Sequence, residues 1–343
     1  MIFDEPRYLL AGDRYLLIEF GNELNLDMNF KALGLAREIE QNKVKGLLET
    51  VPSFATLLLH YEPELIKPEA LISLCRELLD QLGSVEDMEI PSRLIELPVA
   101  YDDRWSRECI EAYCRTIKKI EHNPDLVARI NGLKSVTELI RYHSAPQWWV
   151  GAVGFLAGLP TLMSLDPRYF LTAPKYDPPR LWTPVGTVGL GGAFTAIYPM
   201  VTPDGYQILG RTPVPIYDPQ QRLEPFKDSF FLLRTGDRVK FLPISEAEFM
   251  EIEREVEARA YRYNIIDYEI FSVRRYKEFY RQAKREVVET PVPQMGRAEM
   301  IEAGEEVRAR QQVIEMKKKL KAKAIEAEDR SKKSRDIGHQ LGG

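Results

Sequence analysis

The sequence predicts an α+β protein: an N-terminal layer mixing strands and helices, then an all-β region, then a charged helical extension. Three observations predict this. Residues 15–99 alternate β-favouring apolar runs with segments whose apolar residues recur at helical spacing. Residues 148–244 break into short β-rich runs punctuated by Gly, Pro and Asp. Beyond Pro243, charged residues dominate behind helix-start signals.

Taken in order, residues 15–20 read as a strand and 28–39 as a helix. Residues 46–50 and 54–60 read as two strands joined through Pro52 and Ser53. A helix over 71–82 ends at Gly83, and 94–99 reads as a last strand. This βαββαβ order is that of a ferredoxin-like split βαβ, an antiparallel sheet with helices on one face. Residues 104–142 read as three short helices; Asn123 or Pro124 opens one that Gly132 closes, and Ser135 with Glu138 forms a capping box for the next. The run 148–244 has the pattern of a closed barrel or a sandwich. Ser245 and Glu248 cap a charged helix reaching about Arg262, and Ser272 opens another through Lys284 with Val273, Tyr276, Phe279 and Tyr280 near one face. From Gly296 onward charged residues alternate with few large apolar ones, as in a solvated or partly disordered tail or a partner-docking helix. The expected division is 1–100, 101–145, 146–245 and 246–343.

With 343 residues, 44% of them apolar, the chain can bury cores for two domains and an appendage. A formal charge of -5 and a pI near 5.7 give no attraction for phosphate backbones or anionic lipid, which argues against nucleic acid and membrane partners. Asp4, Glu5 and Arg7 interrupt any signal-peptide core, so cytoplasm is the expected compartment. Cys75, Cys109 and Cys114 form no C-x-x-C pair and fall in predicted helices, as free thiols do. The uncharged run 148–165 is long enough to cross a membrane, but Gly151, Gly154, Gly158 and Pro160 point to turning, close-packed strands in a core. Four histidines without helical or hairpin spacing indicate no protein-built metal site.

The run 165–184, LDPRYFLTAPKYDPPRLWTP, holds Lys175, Tyr176 and Arg180 among prolines that stiffen the backbone. Such a set suits recognition of a small anion or a polarised carbonyl; the competing reading is surface Lys and Arg on a Pro-rich loop. His143 follows a capped helix and reads either as a proton-transferring group or as a helix-end or satisfied core histidine. His60 reads as structural, and His122 and His339 as solvent-facing. Gly186, Gly189, Gly191 and Gly192 do not follow the dinucleotide pattern, and β-branched and aromatic residues follow them, so no nucleotide is expected there.

Six short pieces carry a resemblance: residues 49–53 (ETVPS), 98–101 (PVAY), 143–146 (HSAP), 154–160 (GFLAGLP), 197–199 (IYP) and 210–213 (GRTP). Over roughly residues 8–245 the chain resembles the carboxyltransferase C/D region shared by urea carboxylase, allophanate hydrolase subunit 1 and the B subunit of 5-oxoprolinase. The resemblance implies a cyclophilin-like barrel in the β-rich region. It also implies transfer of CO2 from carboxybiotin to urea or another small amide or carbonyl acceptor. Lys175, Arg180 and Arg211 would supply cationic donors, Tyr198 and Thr195 neutral ones, and the backbone of residues 189–192, including Gly191 and Gly192, a cradle. His143 would donate to substrate or shuttle a proton. Lys175, Tyr176, Arg180 and Trp182 are carried over because urea carboxylase has a Lys-Tyr, a Pro-x-Arg and a Trp-Thr-Pro at these spacings. Tyr176 and Trp182 would stack on biotin or fill a core, the latter being the expected role of Trp182. Phe194, an aromatic after Gly-Gly-Ala, matches the urea carboxylase branch, whereas Tyr198-Pro199 and residues 211–215 lean to the hydrolase branch.

The implied partners are a homologous A/B subunit, a biotin carboxylase and a separate biotin carrier protein, since no Met-Lys-Met-type biotinylation motif occurs here. ATP would bind only on a partner subunit. The alternatives are the B subunit of an ATP-dependent lactam hydrolase like 5-oxoprolinase, and a binding protein, because relatives include an inhibitor of a sporulation histidine kinase.

Overall fold

The computed structural model describes residues 1–289. β1 (Ile2–Ala11) and β2 (Tyr15–Gly21) form a hairpin. α1 (Leu26–Gln41) starts at Asn25, whose side chain accepts a hydrogen bond from the Asp27 N–H. β3 (Leu47–Pro52) and β4 (Thr56–Tyr61) make a second hairpin, and α2 (Pro68–Leu82) begins on a proline, which costs no helical hydrogen bond there. The four strands lie antiparallel in the order β1-β2-β4-β3. Leu16, Ile18 and Phe20 alternate inward beside Leu57, Leu59 and Tyr61, and α1 and α2 cover that face with Met28, Leu35, Ile39, Leu71 and Leu78.

This layer differs from the expected one at its edge. Residues 94–101 pair in the second sheet, and the place beside β2 is taken by β1. β1 escapes sequence reading because it is an exposed edge strand interrupted at Pro6, where its register shifts, so no apolar alternation marks it.

After α2 come β5 (Glu89–Pro91) and β6 (Leu94–Tyr101), then the three expected helices α3 (Arg104–Thr116), α4 (Asn123–Ile130) and α5 (Val136–Ser144). The β-rich region supplies β7 (Trp148–Val153), β8 (Pro160–Ser164), β9 (Thr187–Gly191), β10 (Phe194–Ile197), β11 (Gln207–Arg211) and β12 (Arg238–Ile244). Seven strands run β11-β9-β10-β8-β7-β12-β6, and pairing of β11 with β6 closes them into a barrel. The interior is apolar, with Ile95, Leu97, Val99, Trp148, Val188, Ile197 and Phe241 among its buried residues. The uncharged run 148–165 is thus β7, β8 and their connection, and no helix among the described residues is long and apolar enough to cross a membrane.

Ser245 and Glu248 form the full reciprocal capping box of α6 (Glu246–Glu257). The helix stops short of Arg262, with Arg259 at φ 58, and the chain continues into two strands of three residues, β13 (Asn264–Ile266) and β14 (Ile270–Ser272). β13 joins the start of β6 and β14 joins β5. α7 (Val273–Glu289) follows, packing Val273 and Tyr276 against Phe30, Trp149 and Phe271. The expected tail from Gly296 lies outside the described residues.

One buried amide clasps the layer to the barrel. The Asn29 Nδ2 donates to the carbonyls of Ser53 (2.7 Å) and Gly151 (2.9 Å), and its Oδ1 accepts from the Trp149 indole N–H (2.7 Å). Gly151 is required there, since a Cβ would stand 2.0 Å from the Phe54 ring.

Candidate functional site

The barrel closes where two of the short sequence pieces meet. Gly210 pairs with Tyr101 and Arg211 with Ala100, and a Cβ on Gly210 would fall 2.4 Å from the Ala100 carbonyl oxygen, so only glycine permits the closure. β6 then delivers two aspartates in succession. Asp102 takes the left-handed conformation (φ 51), an uncommon state for a residue other than glycine and one that marks local strain. Its carboxylate accepts from Arg107 Nε (2.9 Å) and Nη2 (2.7 Å) and lies 2.9 Å from His122 Nε2. The other nitrogen of His122 is 2.9 Å from Asp125, so the imidazole sits between two carboxylates rather than facing solvent alone.

Asp103 is fully buried at the start of α3, accepting from the Ser106 N–H (3.0 Å) and hydroxyl (2.6 Å). Burial pushes its pKa up, opposed by the Ser106 bonds and by the charge of Arg211. Burial likewise pulls the Arg211 pKa down, opposed by Asp103 and Glu253. Arg211 donates to the Val185 carbonyl (3.0 Å), and its guanidinium lies 5.3 Å from the rings of both Trp105 and Phe249. No Arg211 nitrogen lies within 4.0 Å of a carboxylate oxygen among the described residues. A fully buried carboxylate and a partly buried guanidinium therefore stand near each other without closing an ion pair.

The Pro-rich loop forms a second cluster at this end of the barrel. Arg180, 1% exposed, donates to the Tyr206 carbonyl (2.5 Å) and the Thr183 hydroxyl (3.1 Å) and covers the Tyr176 ring at 4.5 Å. Tyr176 in turn donates to Asn123 Oδ1 (2.6 Å), which also accepts from the Ile208 N–H of β11 (2.8 Å). Asn123 follows His122, so the two clusters are linked through the first turn of α4.

Several expected roles do not survive this geometry. His143 is fully buried, its ring nitrogens bonded to the hydroxyls of Tyr101 (2.7 Å) and Thr195 (2.9 Å), and burial pushes its pKa down to about 3; it is a satisfied core histidine holding α5, β6 and β10 together, not a proton carrier near neutrality. Thr195 is spent in the same bond. Tyr198 is buried with its hydroxyl committed to Asp204 (2.6 Å). Trp182 is not the core residue expected, being 43% exposed, whereas Tyr176, for which stacking and core filling were both open, is buried under Arg180. The glycine cradle is absent as such, because Gly191 is paired within β9 and makes room for the Tyr206 ring, and the Gly192 N–H is taken by the Ala173 carbonyl. Phe194 packs on Phe54 of the N-terminal layer (4.8 Å), apart from the others. Lys175 is exposed, 4.9 Å above the Tyr206 ring. Arg180 is likewise buried and bonded; Arg211, Lys175 and Trp182 remain partly or fully exposed, and Asp102, Asp103 and His122 lie on the charged end as well. The signal for the two aspartates lies in their position directly after an apolar strand.

Residues 6–227 match the family described as carboxyltransferase domain, subdomain C and D. The chain belongs to that family. It is 30% identical over 263 residues to urea amidolyase of Saccharomyces cerevisiae, an alignment covering 75% of this chain and 14% of the relative. It is 33% identical over 254 residues to the B subunit of 5-oxoprolinase from Bacillus subtilis, covering 71% and 95%. The crystal structure of Kluyveromyces lactis urea carboxylase shares the fold with a TM-score of 0.74 at 24% identity, over 86% of this chain and 27% of that one. This carboxyltransferase C/D chain therefore spans a small part of the urea amidolyases and almost all of the 5-oxoprolinase B subunit.

A large cleft lies at the opposite end of β6. Its volume is about 1300 Å³, and it lies between the N-terminal layer and the barrel, lined by Glu49, Pro52, Arg93, Phe155, Gly158 and Arg234 among others. Arg93 and Asp102 flank the eight residues of β6, which sets them roughly 30 Å apart at the rise of an extended strand. The cleft is spacious, yet its buried charge is neutralised: Arg93 grips Asp237 through Nε (2.9 Å) and Nη2 (2.5 Å). At the charged end, by contrast, Asp103 is bonded to Ser106 and Arg211 to the Val185 carbonyl, and no ion pair closes between them.

Proposed function

We propose that this chain is the C/D half of a carboxyltransferase in a multi-subunit, biotin-dependent carboxylase, moving CO2 from carboxybiotin on a separate carrier protein to urea or another small amide. The supporting observation is the reach of the likeness. By sequence, the likeness covers 75% of this chain for the Saccharomyces cerevisiae urea amidolyase and 71% for the 5-oxoprolinase B subunit, and the fold shared with urea carboxylase extends over 86%. The greater coverage favours the carboxylase branch, because the chain continues past residue 227, the end of the family match, into α6, β13, β14 and α7.

The acceptor is a compound with several N–H donors and one carbonyl. Carboxylate oxygens of Asp102 would accept from the N–H groups, and Arg211 would donate to the carbonyl as negative charge develops on it. Asp103 and Arg107 hold these groups from behind, Asp103 through its field on Arg211 and Arg107 through its fork on Asp102. The exposed Trp182 and Lys175 fit a rim that carrier-borne carboxybiotin would meet. Asp102 and Arg211 are only partly buried on this chain, so a homologous A/B subunit would cover them, exclude water and complete the site. ATP would be used on the biotin carboxylase partner.

The test is purification of the native assembly through a tag on this chain, with streptavidin probing of every partner, followed by urea-dependent ATP turnover on reconstitution. A biotinylated partner and acceptor-dependent turnover are expected; a complete, active assembly without biotin overturns the reading. A second reading has its own support, the 33% identity with the 5-oxoprolinase B subunit over nearly all of that protein. It predicts 5-oxoproline-dependent ATP hydrolysis by the same assembly.

A further inference from the structure

We propose that the free edge of β3 takes up an extended, cationic segment of a partner protein as a short added strand, in the cleft between the N-terminal layer and the barrel. The site lies at the other end of β6 from Asp102 and Arg211 and does not rest on the carboxyl-transfer reading.

The edge follows from the register. β3 is the last strand of its sheet, with β4 on one side only. The Ser53 N–H donates to the Thr56 carbonyl (2.8 Å), and the same pairing sets Val51 opposite Leu58 and Glu49 opposite His60. Residues two apart in an antiparallel pair turn their backbone groups to the same side, so Ser53, Val51 and Glu49 face β4, and Pro52 and Thr50 face away. The Pro52 carbonyl gives the direction: it accepts from the Thr235 hydroxyl (3.2 Å), in the loop before β12. Thr50, Pro52 and Thr235 all line the cleft, so the N–H and C=O of Thr50 open into it, without a backbone partner among the described residues. An extended chain lying there closes both bonds, as peptides do when they add to a sheet edge. The register shift between Leu47 and Glu49 and the missing N–H of Pro52 bound this edge, so Thr50 is the main-chain anchor and side chains supply the rest.

The size and charge of the cleft select the occupant. A volume of about 1300 Å³ is more than a small ligand fills and suits a stretch of chain. Glu38, Glu40, Glu49, Glu89 and Asp228 line it, and none of these carboxylates has an ion-pair partner among the described residues. Three arginines line it too, but Arg93 and Arg234 share Asp237, and Arg37 Nη1 is turned to the Glu89 carbonyl (3.3 Å). The excess is negative, which favours a cationic occupant. The Thr50 hydroxyl donates to Glu40 of α1 (2.5 Å), which places its side chain on the helix-covered face. A residue paired with Thr50 points the same way, so a lysine or arginine there meets Glu40, and its neighbours in the added strand lie on the other face with Glu49 and Val51.

The full chain tests this with a fluorescein-labelled hexapeptide of alternating lysine and valine, followed by fluorescence anisotropy, beside its glutamate–valine counterpart. Saturable binding that weakens with added salt is expected for the lysine peptide, and affinity about tenfold lower for the glutamate peptide. Thr50→Pro removes the outward N–H at an edge position, where proline is tolerated, and is expected to weaken the lysine peptide about fivefold to tenfold. Glu40→Gln combined with Glu49→Gln, both at exposed side chains, leaves the fold in place and is expected to weaken it about fivefold and to flatten the salt dependence. Absence of saturable binding, equal affinity for the two peptides, or unchanged affinity in either variant overturns the proposal. A wild-type chain that sediments as a dimer and becomes monomeric as Thr50→Pro gives the edge to a second copy, and overturns it as well.

Discussion

The two ends of β6 treat buried charge in opposite ways. At the start of the strand, Arg93 and Asp237 close a two-pronged ion pair beneath the large cleft, and Arg234 adds a second cation 3.7 Å away. At the other end, Asp103 is held only by Ser106, Arg211 by a carbonyl and two rings, and Arg180 by Thr183, Tyr206 and the face of Tyr176. Closing pairs is how a fold stabilises itself, and leaving charges apart costs it stability. A protein that does both along one strand separates structure from chemistry, and the separation can be measured.

The largest expected effect tests the paired end. Arg93→Ala leaves Asp237 buried without its main partner and should cost about 3–5 kcal/mol of stability. Turnover per folded molecule in the reconstituted assembly should stay near wild type. Arg211→Ala should do the reverse, losing about 10²–10³ in turnover for less than about 1.5 kcal/mol of stability. If urea denaturation finds Arg211→Ala to be the more destabilising of the two, the comparison fails.

Asp103→Asn sharpens it. Asparagine caps a helix as well as aspartate does, and burial already disfavours the charge, so stability should change by less than about 1 kcal/mol. Activity should fall by about 10², because the field that holds Arg211 is gone. Wild-type turnover in this variant would reduce Asp103 to a helix cap.

What is legible in the sequence is what is local. Helix starts at Ser135 and Ser245, and the alternation of Leu16, Ile18 and Phe20, are written within a few residues, and the α+β class follows from them. β6 reads as a strand but not as a member of its true sheet, since LIELPVAY reads the same in either one and its partner β12 begins 144 residues later, at Arg238 opposite Leu94. β13 and β14 are too short to leave a period. Within the Pro-rich loop no periodicity says which side chain turns inward, so the sequence alone leaves Tyr176 undecided and expects Trp182 in the core. His122 reads as solvent-facing because its two carboxylate partners come together only when α4 docks beside the end of β6.

His143 supplies a smaller effect with a definite sign. Burial holds its pKa near 3 against 6.5 for an exposed ring. Above about pH 6.5 both folded and unfolded chains carry the neutral imidazole, and the group contributes no pH dependence. As pH falls from there towards 3, the unfolded chain takes up a proton that the folded chain refuses, so stability declines by up to about 1.4 kcal/mol per pH unit. His143→Gln, which keeps hydrogen bonds to the Tyr101 and Thr195 hydroxyls, should flatten this acid limb in denaturation midpoints taken between pH 7 and pH 4. An equal slope in both proteins would place the titration elsewhere.

The smallest effect lies on the rim of the cleft. Phe155 is 80% exposed and held at φ 72, a conformation that costs a residue with a Cβ about 1–2 kcal/mol and glycine almost nothing. Phe155→Gly removes that strain, loses little buried area, and gives back about 0.5–1 kcal/mol through the greater freedom of the unfolded chain. The net gain should be about 0.5 kcal/mol, read as a small upward shift in Tm. The same variant also tests the division of labour along β6. With chemistry at the far end of the strand, turnover in the reconstituted assembly should be unchanged. A more stable protein with lost turnover would mean that the strained ring is kept for function and that the cleft takes part in it.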